Sequence, residues 1–260
     1  MSKLKNDILV LIFFLIVGII YTHFSSGYWF GSGLIAFGIF AFPPIIYMGL
    51  RSKKNWKKIG VSTIIFGGIF GFILDFIAEL NLSWTVTSTI FPFRILGVNT
   101  LDSVLGLIIM TLLTNVFYEH FVDRDLNHHI SKNLKYALFP SIFVVILILV
   151  LFYFKPSALQ FRYPYLIMGC MAIITPIVLS FKHPGLIKKM AETSIYFFFL
   201  YLIFELLAVK NNFWVFNGNN YVGWVTLFGI NFPFEEVFFW MLFYASSLVS
   251  YYEIFVDDQK

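Results

Sequence analysis

Two adjacent carboxylates lie at the start of the last apolar segment of the chain. Glu235 and Glu236 follow Pro233 and precede an aromatic run that ends at Trp240. The start of a helix is enough to explain this pattern without a catalytic role, because proline suits the first helical turn and acids suit the positive end of the helix dipole. The dipole favours the anion by only about 0.3–1 kcal/mol, whereas removing a carboxylate from water costs several kcal/mol. In a dry site, at least one of the two acids would therefore keep its proton and be able to act as a general acid.

Three further acids stand at corresponding places in the chain. Asp75 lies nine residues before Trp84, and Glu205 lies nine residues before Trp214. Asp102 lies at the start of the apolar segment that follows Asp75. In the same way, the two adjacent glutamates lie at the start of the segment that follows Glu205. Ionisable side chains at membrane depth are costly and are functional candidates by default. These five acids are therefore the candidate catalytic residues.

Aromatic side chains surround these acids in the sequence. An aromatic face stabilises a cation without attacking it, so a proton donor in a water-poor aromatic cavity suits the protonation of an alkene. The aromatic belt at a membrane surface is the alternative explanation for each of them. The candidates for lining such a cavity are Trp84, Trp214, Phe216, Tyr221, Trp224, Phe234, Phe238, Phe239 and Trp240.

The composition places these residues in an all-α integral membrane protein. Of the 260 residues, 59% are apolar, 21% are aromatic and only 12% are charged. Apolar runs of this length exceed what one soluble core can bury, and their lengths fit membrane-spanning helices. Eight spans are predicted, at residues 7–24, 29–50, 59–80, 101–121, 137–154, 164–181, 190–209 and 235–256.

The charge distribution predicts a multi-pass protein of the cell membrane with both termini in the cytoplasm. Of the 18 Lys and Arg residues, all but four lie in the tails or in the loops after even-numbered spans. The four exceptions are Arg94, Lys155, Arg162 and Lys210. By the positive-inside rule this asymmetry gives orientation, so the excess of positive charge does not indicate a nucleic-acid partner.

The chain is predicted to contain an internal repeat. The segments VFYEHFVD and SYYEIFVD are similar and align Glu119 with Glu253. The same offset, carried towards the start of each span, aligns Asp102 with Glu236. Sequence similarity around Asp75 and Glu205 extends the match to the preceding spans.

The repeat divides one integrated membrane domain into two four-helix units, residues 1–128 and residues 129–260, the second of which carries PFEE. Because each unit has an even number of spans, the units are predicted to be parallel and related by an axis along the membrane normal. Gly67 and Gly71 favour a close helix contact in the first unit. The single cysteine, Cys170, excludes a cysteine-based metal cluster, and no metal site is predicted.

Several motifs of the second unit occur together in one known family. The motif WVFN ends at Asn217, PFEE ends at Glu236, and Tyr221 and Gly229 lie between them. In these features the sequence resembles the membrane-integral lycopene cyclases of bacteria, archaea and fungi, which occur as fused or heterodimeric proteins. The first unit is similar in RILG and Asp102 but lacks the proline and the first acid of the motif. The resemblance adds Asn217 to the candidate substrate-binding residues.

The resemblance implies a carotenoid cyclase of the isomerase or intramolecular lyase type. A carboxylic acid protonates the terminal double bond of an acyclic carotenoid such as lycopene, and ring closure follows without net redox change. Glu235 and Glu236 are then the first candidates for acid and base, with Asp102, Asp75 and Glu205 as the second group. No flavin, nucleotide or other cofactor is expected. The expected partners are a hydrophobic polyene or isoprenoid, the lipid bilayer, and a second copy of the chain or other enzymes of carotenoid synthesis.

Other functions are compatible with the same residues. A proton-coupled transporter also uses buried acids in parallel repeats, although it would need acids across the whole membrane. A non-catalytic partner subunit and a cyclase of another isoprenoid are further alternatives. A retinal-binding pigment would need a lysine deep within a span, whereas Lys210 lies at a span end.

Overall fold

Eight helices form the architecture of this computed structural model, which describes residues 3–24, 32–51, 55–124 and 128–257. Seven of the helices are long and apolar enough to cross a membrane, and α2 is a shorter apolar helix. The prediction of an all-α chain with eight apolar helical segments is confirmed, although the predicted start of the second segment lies outside the described residues. The helices are α1 (Lys3–Phe24), α2 (Gly33–Gly49), α3 (Trp56–Leu80), α4 (Leu101–Asp123), α5 (Leu134–Phe154), α6 (Pro164–Lys182), α7 (Gly185–Lys210) and α8 (Glu236–Asp257).

Three of the helices contain π-helical turns. The middle of α3 is π-helical over Thr63–Phe70. Helices α4 and α8 end in matching π-helical segments, Tyr118–Asp123 and Tyr252–Asp257. Helix α8 also begins with one, Glu236–Phe243, which has no counterpart at the start of α4. A π-helical turn accommodates an extra residue in a helix and is frequent at functional sites.

The helices pack in two corresponding sets. Helix α4 packs on α2 and α3, while α8 packs on α6 and α7. Across the two sets, α1 packs on α7, α5 packs on α3, and α4 packs on α8. Aromatic side chains fill the main core; the rings of Phe37 and Phe40 meet Phe204 at centroid distances of 4.9 and 5.5 Å. This arrangement places the starts of α4 and α8 beside the ends of α3 and α7.

Gly67 and Gly71 lie where α3 approaches α4 most closely, as the sequence predicted. A methyl group at Gly67 would stand 2.8 Å from Thr111 Oγ1 and 3.0 Å from the backbone of Ile108. A methyl group at Gly71 would stand 3.2 Å from Leu107 Cβ. Glycine therefore allows the two backbones to meet.

We expect Gly67→Ala to destabilise the protein by about 1–3 kcal/mol, because overpacking forces side chains or backbone to shift. Gly68→Ala is the matched control, since a methyl group there meets no atom within 4 Å. Thermal or denaturant unfolding of the two purified variants measures the difference. Equal stability of both variants would contradict the close contact.

Short strands occur only in the loops after α3 and α7, within the part of the chain that the structure describes. Strand β1 (Thr85–Val86) pairs antiparallel with β4 (Trp214–Val215) and so joins the two loops. The other four strands form two hairpins, which turn through Gly97 and Gly229, both with positive φ. The hairpin strands are β2 (Arg94–Ile95), β3 (Asn99–Thr100), β5 (Trp224–Leu227) and β6 (Ile230–Pro233). These pairs were not predicted, and they cover one end of the helix bundle.

Candidate active site

Glu236 and Glu205 form a buried pair of acids at the covered end of the bundle. Glu236 is in the first turn of α8, and Glu205 is in the last third of α7. The two carboxyl groups are neighbours, and Glu205 Oε2 is buried without a hydrogen-bond partner among the described residues. Because two adjacent buried carboxylates repel each other, the pair is most stable when it holds one proton. Trp214 Nε1 donates to Glu205 Oε1 at 2.9 Å, which fixes the orientation of the inner member of the pair.

Tyr165 is a third member of this group and was not among the sequence candidates. Its hydroxyl donates to Glu236 Oε2, and its ring meets the indole of Trp84 at a centroid distance of 5.2 Å. Tyr165 is in the first turn of α6. In the sequence, an aromatic residue at such a position indicates the aromatic belt at a membrane surface. No sequence signal distinguished it from the other tyrosines at span ends.

Asp75 occupies the corresponding place near the end of α3, in different surroundings. Its carboxylate accepts hydrogen bonds from Trp84 Nε1 at 3.0 Å, from Asn99 Nδ2 at 2.8 Å and from the Ser103 hydroxyl. Three donors directed at one buried carboxyl group favour its ionised form. Asp75 is therefore equipped to hold a negative charge, whereas Glu236 is equipped to hold a proton.

Asp102 and Glu235 hold the loops that cover this end of the bundle. Asp102 accepts from the backbone N–H of Ile90 at 2.7 Å and of Phe91 at 3.0 Å. Glu235 accepts from the backbone N–H of Val222 at 2.7 Å. A buried carboxylate that accepts backbone hydrogen bonds stabilises the loop that supplies them.

These contacts correct the alignment of the two halves. Asp102 corresponds to Glu235 and Ser103 corresponds to Glu236, one position away from the alignment that the constant offset predicted. Further along the same helices the predicted alignment of Glu119 with Glu253 holds, since both lie in matching π-helical ends. The additional π-helical turn at the start of α8 accommodates the one-residue difference.

Three of the five acids line a cavity of about 1230 Å³, a volume that includes open space outside its mouth. Asp75, Asp102 and Glu236 line it, but Glu205 lies behind Glu236 and Glu235 faces the loop. Three of the five candidate acids therefore share one cavity, and Glu236 is the only member of the adjacent pair that lines it. The rest of the wall is mostly apolar and comes from both halves of the chain. The aromatic candidates in the wall are Trp84, Trp214, Phe216, Phe239 and Trp240.

Five candidate substrate-binding residues do not line the cavity, and one of them, Trp224, is exposed on strand β5. The exposed Asn217 is close to Thr85 in the joined loops, and Phe234 stacks on Phe238 at the surface. Tyr221 donates to the backbone carbonyl of Ser83 at 2.6 Å. Burial raises the pKa of the Tyr221 hydroxyl to about 12, so it remains a donor at neutral pH. Asn217 and Tyr221 therefore connect the covering loops to each other.

None of the five candidate acids forms an ion pair with a Lys or Arg among the described residues. Arg94 is close to several of these acids in the sequence, but its guanidinium pairs with Glu79 at 2.5 Å and donates to the carbonyls of Val86 and Val98. Arg94 therefore ties a hairpin to the end of α3. A buried acid that has neither a counter-ion nor hydrogen-bond donors for both oxygens is most stable when protonated, and Glu205 Oε2 has no donor among the described residues.

Comparisons of the chain with protein-family models, with curated proteins and with solved structures found no match.

Proposed function

We propose that the chain is a multi-pass protein of the cell membrane that cyclises an acyclic carotenoid of the lycopene type. The observation that carries the proposal is a pair of buried acids, one of which lies in the wall of an apolar, aromatic cavity. Glu236 lines this cavity beside the second acid, Glu205, and neither forms an ion pair with a Lys or Arg among the described residues. The sequence resemblance to the lycopene cyclases supplies the substrate class.

The arrangement of acids gives each a role in such a reaction. Glu236 donates its proton to the terminal double bond of the polyene, forming a C–H bond and leaving a cation on the neighbouring carbon. An internal double bond attacks that cation, and the new C–C bond closes a six-membered ring. Asp75, which faces the same cavity, removes a proton from a carbon next to the second cation. One proton enters and one leaves, so the product is an isomer of the substrate.

Aromatic faces in the cavity wall stabilise the two cations. Trp84, Trp214 and Phe239 lie in the wall with Asp75 and Glu236. Cation–π contacts contribute about 2 kcal/mol or more when they are desolvated. An indole or phenyl ring does not trap the cation as a water molecule would, so ring closure competes successfully with hydration.

A proton-coupled transporter is less well supported. Between Asp102 and Glu119, α4 carries no acidic or basic side chain. Their separation of 17 residues corresponds to about 25 Å along a helix. Proton transport would need acceptors within that distance, whereas the acids of α4 are confined to its two ends.

Expression in a bacterium that accumulates lycopene tests the proposal. Chromatography of the pigments should reveal a monocyclic or bicyclic product with the mass of lycopene, absent from cells that carry the empty vector. A second strain that accumulates a longer acyclic carotenoid tests the chain length of the substrate. Unchanged pigments in both strains, with the protein present and folded in the membrane, would overturn the proposal.

We further propose that the two halves are parallel repeats and that both termini are cytoplasmic. The matched packing of α4 and α8 and their matching π-helical ends support the repeat. The charge distribution supports the orientation. The covered end of the bundle, with the cavity acids, then faces outwards.

Labelling of single cysteines should reveal this orientation. In a Cys170→Ala background, an impermeant thiol reagent added to intact cells should modify a cysteine at Asn217 and spare one at Lys188. Both side chains are exposed, so neither is protected by the fold. Permeabilised cells serve as the control, since both positions should then react. If only the cysteine at 188 were labelled in intact cells, the orientation would be the opposite of the one proposed.

A further inference from the structure

A second group of buried charges lies at the opposite end of the bundle from the cavity acids. Lys58, at the start of α3, is 1% exposed. Its ammonium group is 2.7 Å from Glu119 Oε1 and 2.9 Å from Asp257 Oδ1. Glu119 is near the end of α4, and Asp257 ends α8. One buried lysine thus connects the ends of three helices.

The other half of the chain contributes a matching set. Lys189, near the start of α7, is 2.8 Å from Glu253 Oε2 and 3.5 Å from Asp123 Oδ1. Two tyrosines cross between the sets, since Tyr118 donates to Glu253 and Tyr252 donates to the glutamate of α4. The two sets therefore form one network across the α4–α8 contact.

The ion pairs of this network, among the described residues, contain more negative than positive groups. Four buried carboxyl groups, from Glu119, Asp123, Glu253 and Asp257, share two ammonium groups. Burying an uncompensated carboxylate costs several kcal/mol. Two further positive charges, supplied by protons or by a cation, would make the described network neutral.

Asp123 shows where such a charge is needed. It is 1% exposed, and neither carboxylate oxygen has a hydrogen-bond partner among the described residues. The ammonium group of Lys189 is nearer to Glu253 and remains 3.5 Å from Asp123. A buried carboxylate oxygen without a donor needs an explanation, and here the oxygen points towards other carboxylates.

We propose that Glu119, Asp123 and Asp257 bind one hard divalent cation of the Mg²⁺, Ca²⁺ or Mn²⁺ class. One oxygen from each residue lies within 4.8 Å of the others. Ligands about 2.1–2.4 Å from a common ion are separated by at most twice that distance, so the spacing allows one ion to bridge the three carboxylates. The ion would lie beside the ammonium group of Lys58, which contacts two of them, and the amide of Asn55, which donates to Glu119 Oε2 at 2.6 Å. An all-oxygen, all-carboxylate set selects hard cations over zinc or copper.

The cation would join the two halves of the chain. Glu119 and Asp123 come from the end of α4, and Asp257 comes from the end of α8. Together with two lysines, a divalent ion balances the four carboxylates of the network. Its binding therefore stabilises the contact between α4 and α8, independently of the chemistry proposed for the cavity.

Cation titration of the purified full chain in detergent tests the inference. At constant ionic strength, Mg²⁺, Ca²⁺ or Mn²⁺ at one hundred times its Kd should raise the unfolding midpoint by about 5 °C or more. Potassium at the same ionic strength should not. Equilibrium dialysis should find one ion per chain, and the spectrum of added Mn²⁺ should show its immobilisation.

Asp123→Asn should abolish the midpoint shift and the bound ion. The matched control is Glu192→Gln, because Glu192 is an exposed acid that pairs with Lys188 at 3.8 Å on α7. The control should keep the full response. An absence of divalent binding to the wild-type chain, or an unchanged response of Asp123→Asn, would overturn the inference and leave protons as the neutralising charges. If Asp123→Asn does not fold, the wild-type stoichiometry decides.

Discussion

Glu236→Gln is expected to lower the yield of cyclised carotenoid at least about 100-fold while the chain remains folded in the membrane. General acid catalysis contributes about 10²–10⁴-fold, and an amide has no proton of suitable acidity to deliver. Glutamine keeps the volume of the side chain and can still accept the hydrogen bond from Tyr165. Pigment chromatography of lycopene-accumulating cells, normalised to the amount of protein in the membrane, measures the loss.

Glu235→Gln is the matched control, one residue away. Its amide oxygen can still accept the hydrogen bond from the N–H of Val222, so cyclisation should remain within about threefold of the parental level. From the sequence, Glu235 and Glu236 were equal candidates for the acid. Their side chains lie in different places, since Glu236 lines the cavity and Glu235 binds the loop, so the two variants should differ. Near-parental activity of both variants would show that the acid assignment is wrong and that the carboxylates only stabilise the helix start.

Asp102→Asn should have an intermediate effect. An asparagine side chain presents one carbonyl oxygen to the two backbone N–H groups that the Asp102 carboxylate now binds. The loop before α4 would loosen without loss of the proton donor. Activity lower than that of Glu236→Gln would assign the catalytic proton to Asp102 instead.

The helices were predictable because their signal is carried by local composition. Long apolar runs separated by charged or glycine-containing loops give eight segments whatever their packing. The strands were not predictable, since pairs such as Thr85 with Val215 join residues far apart in the sequence. Two-residue strands have too little alternation to give a pattern of their own.

The candidate acids were found by type and spacing, but their roles depended on backbone geometry. A constant offset aligned Asp102 with Glu236, because sequence similarity near the ends of α4 and α8 does not reveal a π-helical turn at the start of α8. That turn shifts the correspondence by one residue. The contacts of Tyr165 and Ser103 with the acids are also between distant segments, and neither residue type is unusual at the start of an apolar helix.

The positive charges show the limit of a topology rule. Lys58 is one of the Lys and Arg residues whose positions were explained, from the sequence, by the orientation of the chain in the membrane alone. The structure places its ammonium group between two buried carboxylates. Orientation and structural pairing are compatible, because a lysine at a helix end can satisfy both, but only the fold reveals the second.

The largest expected loss of stability follows from this placement. Lys58→Met removes the positive partner of Glu119 and Asp257 while keeping much of the side chain's apolar volume. Breaking a buried ion pair by removal of one partner costs about 3–5 kcal/mol, since it leaves a buried charge uncompensated. Denaturant or thermal unfolding of the purified chain should show this loss, and Lys188→Met, at a lysine whose side chain is 82% exposed, should change stability by no more than about 0.5 kcal/mol. In the double variant Lys58→Met with Glu119→Gln, part of the lost stability should return, because one of the orphaned charges is also removed. Equal stabilities of Lys58→Met and Lys188→Met would mean that the buried network contributes nothing to holding α3, α4 and α8 together.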